Sequence, residues 1–314
     1  MSLPIVSTSD LAAAITKAAS KQTYYTVRFL VDRDLQPDAY RAYAYFRWVD
    51  DHLDQDLSAE ADRLAFVERQ RALVGACLQG EWPAQVTPEE GMLVDLVRGQ
   101  RADHRGLQIY IREMLAVMAF DAGRRGRTIS QAELDAYVRN LATAVTEALH
   151  YFIGHRCPTP QSEARYLAAS GAHVAHMLRD ALEDNRAGYF NIPREHLEAH
   201  SIAPEQVDSP AYRAWVQKRV RLARQCFAAG KAYLSQVENF RCRLAGYAYI
   251  ARFEGVLEAI EREGYRLRAD YREYKSAGSA AGMLWSVLRS AIKPATPKAG
   301  IPRPGRTVPR RAEN

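Results

Sequence analysis

The chain has 314 residues, of which 47% are hydrophobic and 25% charged, a globular composition long enough for one large buried core. No run approaches the roughly 20 apolar residues of a membrane-spanning helix, and residues 1–10 lack the basic-then-apolar layout of a signal peptide. The net charge of +6 does not describe the fold: residues 293–314 hold six Lys or Arg against one Glu, whereas the preceding body carries 37 basic and 36 acidic residues, a balance that excludes a nucleic-acid partner.

Helical periodicity runs from about Leu11 to about Ile292, with few of the alternating β-branched runs that mark strands, so the fold class is all-α. Pro, Gly or polar clusters break it at 35–37, 80–88, 123–130, 156–160 and 192–210. Ser130 and Glu133 have the spacing of a capping box and open a helix through about Phe152. The scattered cysteines, Cys77, Cys157, Cys226 and Cys242, form no C-x-x-C pair and read as reduced, mostly buried thiols of a cytoplasmic protein. The segment SAAGMLWSVLRSAI (residues 279–292) is preferred as a last core helix; with the basic tail it also has the composition for weak association of residues 279–314 with an anionic inner membrane surface. Residues 293–314 are too rich in Pro and Gly to order themselves. One domain follows, residues 1–292, a bundle of roughly eight to ten helices with a central pocket.

Two acidic clusters stand apart, RWVDDHLD (residues 47–54) and LRDALEDNR (residues 178–186), each with Asp at i and i+4. On an α-helix that spacing puts both carboxylates on one face, close enough to share a hard cation and its waters. A lone D-x-x-x-D is usually a solvated, salt-bridged helix face. Two of them, each with Arg on the N-terminal side and each in an otherwise apolar helix, point instead to a metal and diphosphate site between facing helices. Loss of diphosphate from an allylic carbon needs its developing charge neutralised, which metal ions and arginines supply. Tyr24, Tyr25, Tyr43, Tyr45, Phe46 and Trp48 are candidates to line a prenyl pocket and shield cations.

These residues resemble the squalene/phytoene synthase family. YAYFRWVDDHLD (residues 43–54) looks like its first aspartate motif and MLRDALEDNRAGYFNIP (residues 177–193) like its second; Ser20-Lys21, Asp121 and IEREGY (residues 260–265) are looser matches. The resemblance implies an isoprenoid-synthase fold, several Mg²⁺ ions held by Asp50, Asp54, Asp180 and Asp184, and a prenyl diphosphate held by Arg47, Arg179 and Lys21. Departures cluster around the site. His173 and His176 stand where the family has Gln and Asn, and Thr143-Ala144-Val145-Thr146 replaces a Gly-x-Val-Gly segment, which implies a reshaped pocket. Phe253 replaces a diphosphate-holding Tyr, and Asp270 replaces an Arg, unless Arg262, Arg266, Arg268 or Tyr265 supplies that contact.

With the ionising machinery complete and the second-diphosphate residues altered, the sequence leans towards a single-substrate class I terpene synthase, with His176, Thr143 or Tyr25 directing water or accepting a proton. The close rival is a head-to-head prenyltransferase joining two C15 or C20 diphosphates. A catalytically silent family member acting as a partner protein is the third reading, disfavoured because all four aspartates are present.

Overall fold

The computed structural model describes residues 7–100, 104–155 and 157–271. Among them the chain forms eleven α-helices and no strand, only one isolated bridge between Thr128 and Phe190. In order these are α1 (Thr8–Ala19), α2 (Lys21–Leu30), α3 (Gln36–Asp51), α4 (Glu60–Leu78), α5 (Pro88–Arg98), α6 (Arg105–Arg124), α7 (Gln131–Phe152), α8 (Leu167–Ala187), α9 (Arg194–His200), α10 (Pro210–Leu234) and α11 (Phe240–Arg262). The all-α class is as the periodicity reads; the helix count is higher because single polar caps cut apolar stretches that look continuous. Ser20 ends α1 and its hydroxyl accepts from the Thr23 N–H to start α2; the Asn239 side chain accepts from the Cys242 N–H to start α11. The capping box opening α7 is present, with the Ser130 hydroxyl accepting from the Glu133 N–H and the Glu133 carboxylate from the Ser130 N–H. Thr87 and Glu90 form a second box at α5.

The post of the bundle is α8, which packs against α7, α10 and α11. Its approach to α10 depends on glycine: a Cβ at Gly230 would lie 2.8 Å from Ala168 Cα, and one at Gly171 would lie 2.9 Å from Cys226 Cβ. With its apolar edge seated on α10, α8 turns its acidic edge towards α3. It stops at Gly188, whose φ of 86° is the left-handed conformation that closes a helix. On the other side, α3 packs against α1 and α5 and buries Ala42, Tyr45, Phe46 and Val49. All four cysteines are free, Cys157 exposed and the others buried. The segment 279–292 and the tail 293–314 lie outside the described residues.

Gly230→Ala should lower stability by about 1–3 kcal/mol, because the added methyl meets helix backbone that cannot move aside. Gly75→Ala in α4, where nothing lies within 4 Å, is the control and should leave stability unchanged or raise it by up to about 1 kcal/mol. Chemical denaturation of the two variants beside the parent protein measures both; equal effects would refute the packing argument.

Candidate active site

The first aspartate cluster sits where α3 ends. Asp50 occupies its last turn, but His52–Asp56 wind as a π-helical turn, so Asp54 does not lie on the regular α-helix that carries Asp50. Two contacts accompany this turn: the His52 ring stacks on Trp48 with centroids 5.9 Å apart, and His52 Nδ1 lies 2.7 Å from Asp56 Oδ2. The turn delivers Asp54 to the opposite wall, where the Tyr189 hydroxyl donates to Asp54 Oδ1 at 2.7 Å. Arg47 donates from Nε to Asp51 at 3.0 Å and from Nη1 to Asp50 at 3.3 Å.

The second cluster lies on α8. Asp180 accepts two bonds of 2.6 Å from Arg179, and His176 Nε2 lies 2.8 Å from Asp180 Oδ2. His176 is therefore paired with Asp180 and stands in the cavity wall. Asp184, one turn later, accepts from Asn191 Nδ2 at 2.8 Å.

Between the clusters stands Arg124, a residue the sequence reading passed over because it falls in a stretch that looks like linker. It is 5% exposed, donates to Asp121 Oδ1 at 2.6 Å and to Asn191 Oδ1 at 2.9 Å, and lies 4.9 and 5.0 Å from the ring centroids of Tyr137 and Tyr189. The Tyr137 hydroxyl donates to the other oxygen of Asp121 at 2.9 Å. Backbone fixes the same corner: the Gly126 N–H donates to the Gly188 carbonyl at 2.8 Å and the Arg194 N–H to that of Ile129 at 2.8 Å.

These groups enclose one cavity of about 500 Å³, with Asp50, Asp54, Asp180 and Asp184 all in its wall alongside Arg47 and Arg179. Burial, with Asp54 nearby, pushes the Asp50 carboxyl up to about 7 despite Arg47. Burial, with Asp180 nearby, likewise pushes Asp184 up to about 7 despite Arg124. Asp180 goes the other way: burial would raise it, but the bonds from Arg179 and His176 hold it well below the usual carboxylate range. Two crowded carboxylates that resist ionisation form a site an added cation would stabilise. The donors are all hard oxygens, which suits Mg²⁺. No three ligating side chains converge on one point among the described residues.

Other residues singled out in the sequence lie elsewhere. Lys21 is exposed at the start of α2 and outside the cavity wall. Tyr25 is 50% exposed on the outer surface, stacked on Phe29. Tyr45 and Phe46 are core, with the Tyr45 hydroxyl donating to Gln70, and Trp48 packs on Phe66. The aromatic rings in the wall are instead Tyr137 and Tyr189. Neither Thr143 nor Thr146 reaches the cavity wall, nor do Arg262, Tyr265, Arg266 and Arg268. Phe253 is buried against His176 and Tyr249.

Fold and site together define an all-α protein whose two aspartate motifs, far apart in sequence, share one polar cavity. The family model described as squalene/phytoene synthase matches residues 16–277, and the chain belongs to that family. Among solved structures it is similar to the squalene synthase HpnC from Alicyclobacillus acidocaldarius, at 20% identity and a TM-score of 0.64, covering 83% of this chain and 95% of that one. It is also similar to a dehydrosqualene synthase in complex with ligand, at 16% identity and a TM-score of 0.69, covering 90% of this chain and 95% of that one. No curated protein matches the sequence.

The raised carboxyls give a signed pH dependence. An unfolded Asp titrates near 3.9, so between about pH 4 and 7 the native protein binds more protons than the unfolded chain and metal-free stability falls as pH rises. A cation that needs those groups ionised gains over the same window. Mg²⁺ with pyrophosphate should therefore raise the melting temperature more at pH 8 than at pH 6, and Asp50→Asn combined with Asp184→Asn should flatten the difference. Equal shifts at both pH values in the parent protein would contradict it.

Proposed function

We propose that the protein ionises an allylic prenyl diphosphate with Mg²⁺ and releases pyrophosphate, as a single-substrate class I terpene synthase. The observation that carries this reading is the meeting of both aspartate pairs in one cavity of about 500 Å³, a volume suited to one ligand. When bound, Mg²⁺ would supply positive charge to the departing diphosphate oxygens. Asp50, Asp54, Asp180 and Asp184 would hold it, several ions per site. Arg47 and Arg179 are half-exposed or better covered guanidiniums at the wall, already oriented by Asp50, Asp51 and Asp180, and able to take phosphate oxygens as bidentate partners. Arg124 would stay where it is: with Asp121 and Asn191 as partners it carries a fixed positive charge behind the aspartates. Tyr137 and Tyr189 turn aromatic rings to a developing carbocation.

Family membership favours a second reading, head-to-head joining of two prenyl diphosphates. Phe253 weighs against it, having no hydroxyl to offer and a ring packed on His176. Arg252 weighs for it as a further cation close to Arg179, its pKa lowered by burial and by that neighbour. We also propose a cytoplasmic location; no described helix is long and apolar enough to cross a membrane.

Purified protein with Mg²⁺ and C15, C20 or bicyclic C20 diphosphates should yield a C15 or C20 olefin or alcohol by gas chromatography. Asp180→Ala should cut pyrophosphate release by at least about 100-fold, the scale of losing one charge-stabilising group. A C30 or C40 hydrocarbon would replace the single-substrate reading with the head-to-head one.

A further inference from the structure

Tyr189 and Asn191 follow the end of α8, and both are buried in the cavity wall. Each reaches a different aspartate motif. The Tyr189 hydroxyl donates to Asp54 Oδ1 at 2.7 Å, and the Asn191 amide donates to Asp184 Oδ2 at 2.8 Å. Arg124 stands behind both: its guanidinium donates to Asn191 Oδ1 at 2.9 Å and lies 5.0 Å from the centroid of the Tyr189 ring. The backbone of the segment is tied as well, with the Tyr189 N–H donating to the Asp184 carbonyl at 2.8 Å and the Gly188 carbonyl accepting from the Gly126 N–H at 2.8 Å. Asp54 is differently placed. It is exposed and lies on the five-residue π turn beyond the regular end of α3, so packing does little to fix the direction of its carboxylate. Tyr189 is the rigid partner of their bond.

We propose that Tyr189 is a positioning residue that holds Asp54 in register with Asp184, so that a cation entering with diphosphate meets an oxygen from each motif already in place. This rests on the metal and diphosphate reading above. The two hydrogen bonds take one oxygen of each carboxylate, Oδ1 of Asp54 and Oδ2 of Asp184, and leave the other to the cation, which makes each aspartate a one-oxygen ligand. A donor behind a ligating carboxylate fixes its orientation, and loss of such a donor weakens metal binding by roughly 10- to 100-fold. Here one short segment, residues 189–191, supplies that donor to both motifs, and Arg124 locks the segment from behind. The motifs are therefore set relative to one another and not only each within its own helix. Tyr189 does this through its hydroxyl alone, so the role is separable from that of its ring.

The test is Tyr189→Phe, which keeps the ring and removes the hydroxyl, beside the parent protein and Tyr45→Phe, which removes a core hydroxyl bonded to Gln70 at 2.9 Å. Melting temperature is followed on the full chain as Mg²⁺ is titrated at fixed pyrophosphate and pH 8, and pyrophosphate release from a C15 or C20 allylic diphosphate is followed over the same Mg²⁺ range. Tyr189→Phe should move both Mg²⁺ midpoints up at least about tenfold. Its rate of release at saturating Mg²⁺ should stay within about threefold of the parent rate, the split expected when binding alone is weakened. Tyr45→Phe should lower the metal-free melting temperature and leave the midpoints within about twofold, as a distant site does. In an Asp54→Ala background the Tyr189 substitution should shift the melting midpoint by less than about twofold, because the hydroxyl then has no carboxylate to hold. An unchanged or lower midpoint in Tyr189→Phe overturns the inference, as does a shift that persists in full without Asp54. A parent protein that binds Mg²⁺ with pyrophosphate but releases none from an allylic diphosphate overturns the ionisation reading alone, and the melting midpoints still decide the role of Tyr189. Absence of any Mg²⁺-dependent melting shift in the parent protein overturns both.

Discussion

Repulsion between carboxylates crowded into a low-dielectric cavity is the constraint around which this fold is arranged. Asp50, Asp54, Asp121, Asp180 and Asp184 come from three helices and one π turn, and all line a single cavity. Brought together without counter-charge they would drive the bundle apart. Arg124 offsets part of that charge from within. Burial alone would weaken its hold on a proton, but Asp121 and Asp184 keep it fully cationic. Arg47 and Arg179 offset more at the wall. The remainder is left as carboxyls that ionise reluctantly.

The scaffold serves that concentration of charge. Gly171 and Gly230 let α8 and α10 approach until helix backbones nearly touch, which fixes the position of the acidic edge of α8. The box at Ser130 and the left-handed Gly188 set where α7 begins and α8 ends, and the two turns between them are tied through Gly126 and Ile129. Rigid elements thus meet at a corner built from turns, and the polar groups at that corner are satisfied by one another. His173 is the exception in the cavity wall, with one shielded nitrogen that has no partner among the described residues.

Much of this was legible in the residues themselves. Two D-x-x-x-D repeats inside apolar helices are a pattern that surface decoration explains poorly, and the Ser130 box is a local signal that tertiary packing had no reason to override. The π turn at His52–Asp56 was not legible, since the same residues fit an α-helix by spacing and the contact of Asp54 with Tyr189 that accompanies it is 135 residues distant in sequence. Arg124 escaped because its meaning depends on Asn191 and Tyr189, sixty-odd residues downstream. The aromatic run from Tyr43 to Trp48 reads as pocket lining by composition, yet the inward face of α3 is core. His173 and His176 are indistinguishable by sequence, and only burial separates the one bonded to Asp180 from the one left free.

The bond from Tyr189 to Asp54 spans 135 residues. At roughly 5–20 residues per second on a ribosome, the stretch that supplies the tyrosine emerges many seconds after the aspartate. During that interval α3 and its acidic end exist without their opposite wall, as an open face hydrated by water. The cleft is thus left without its opposite wall until more than half the polypeptide has been made, when α8 and Tyr189 become available to face the first motif.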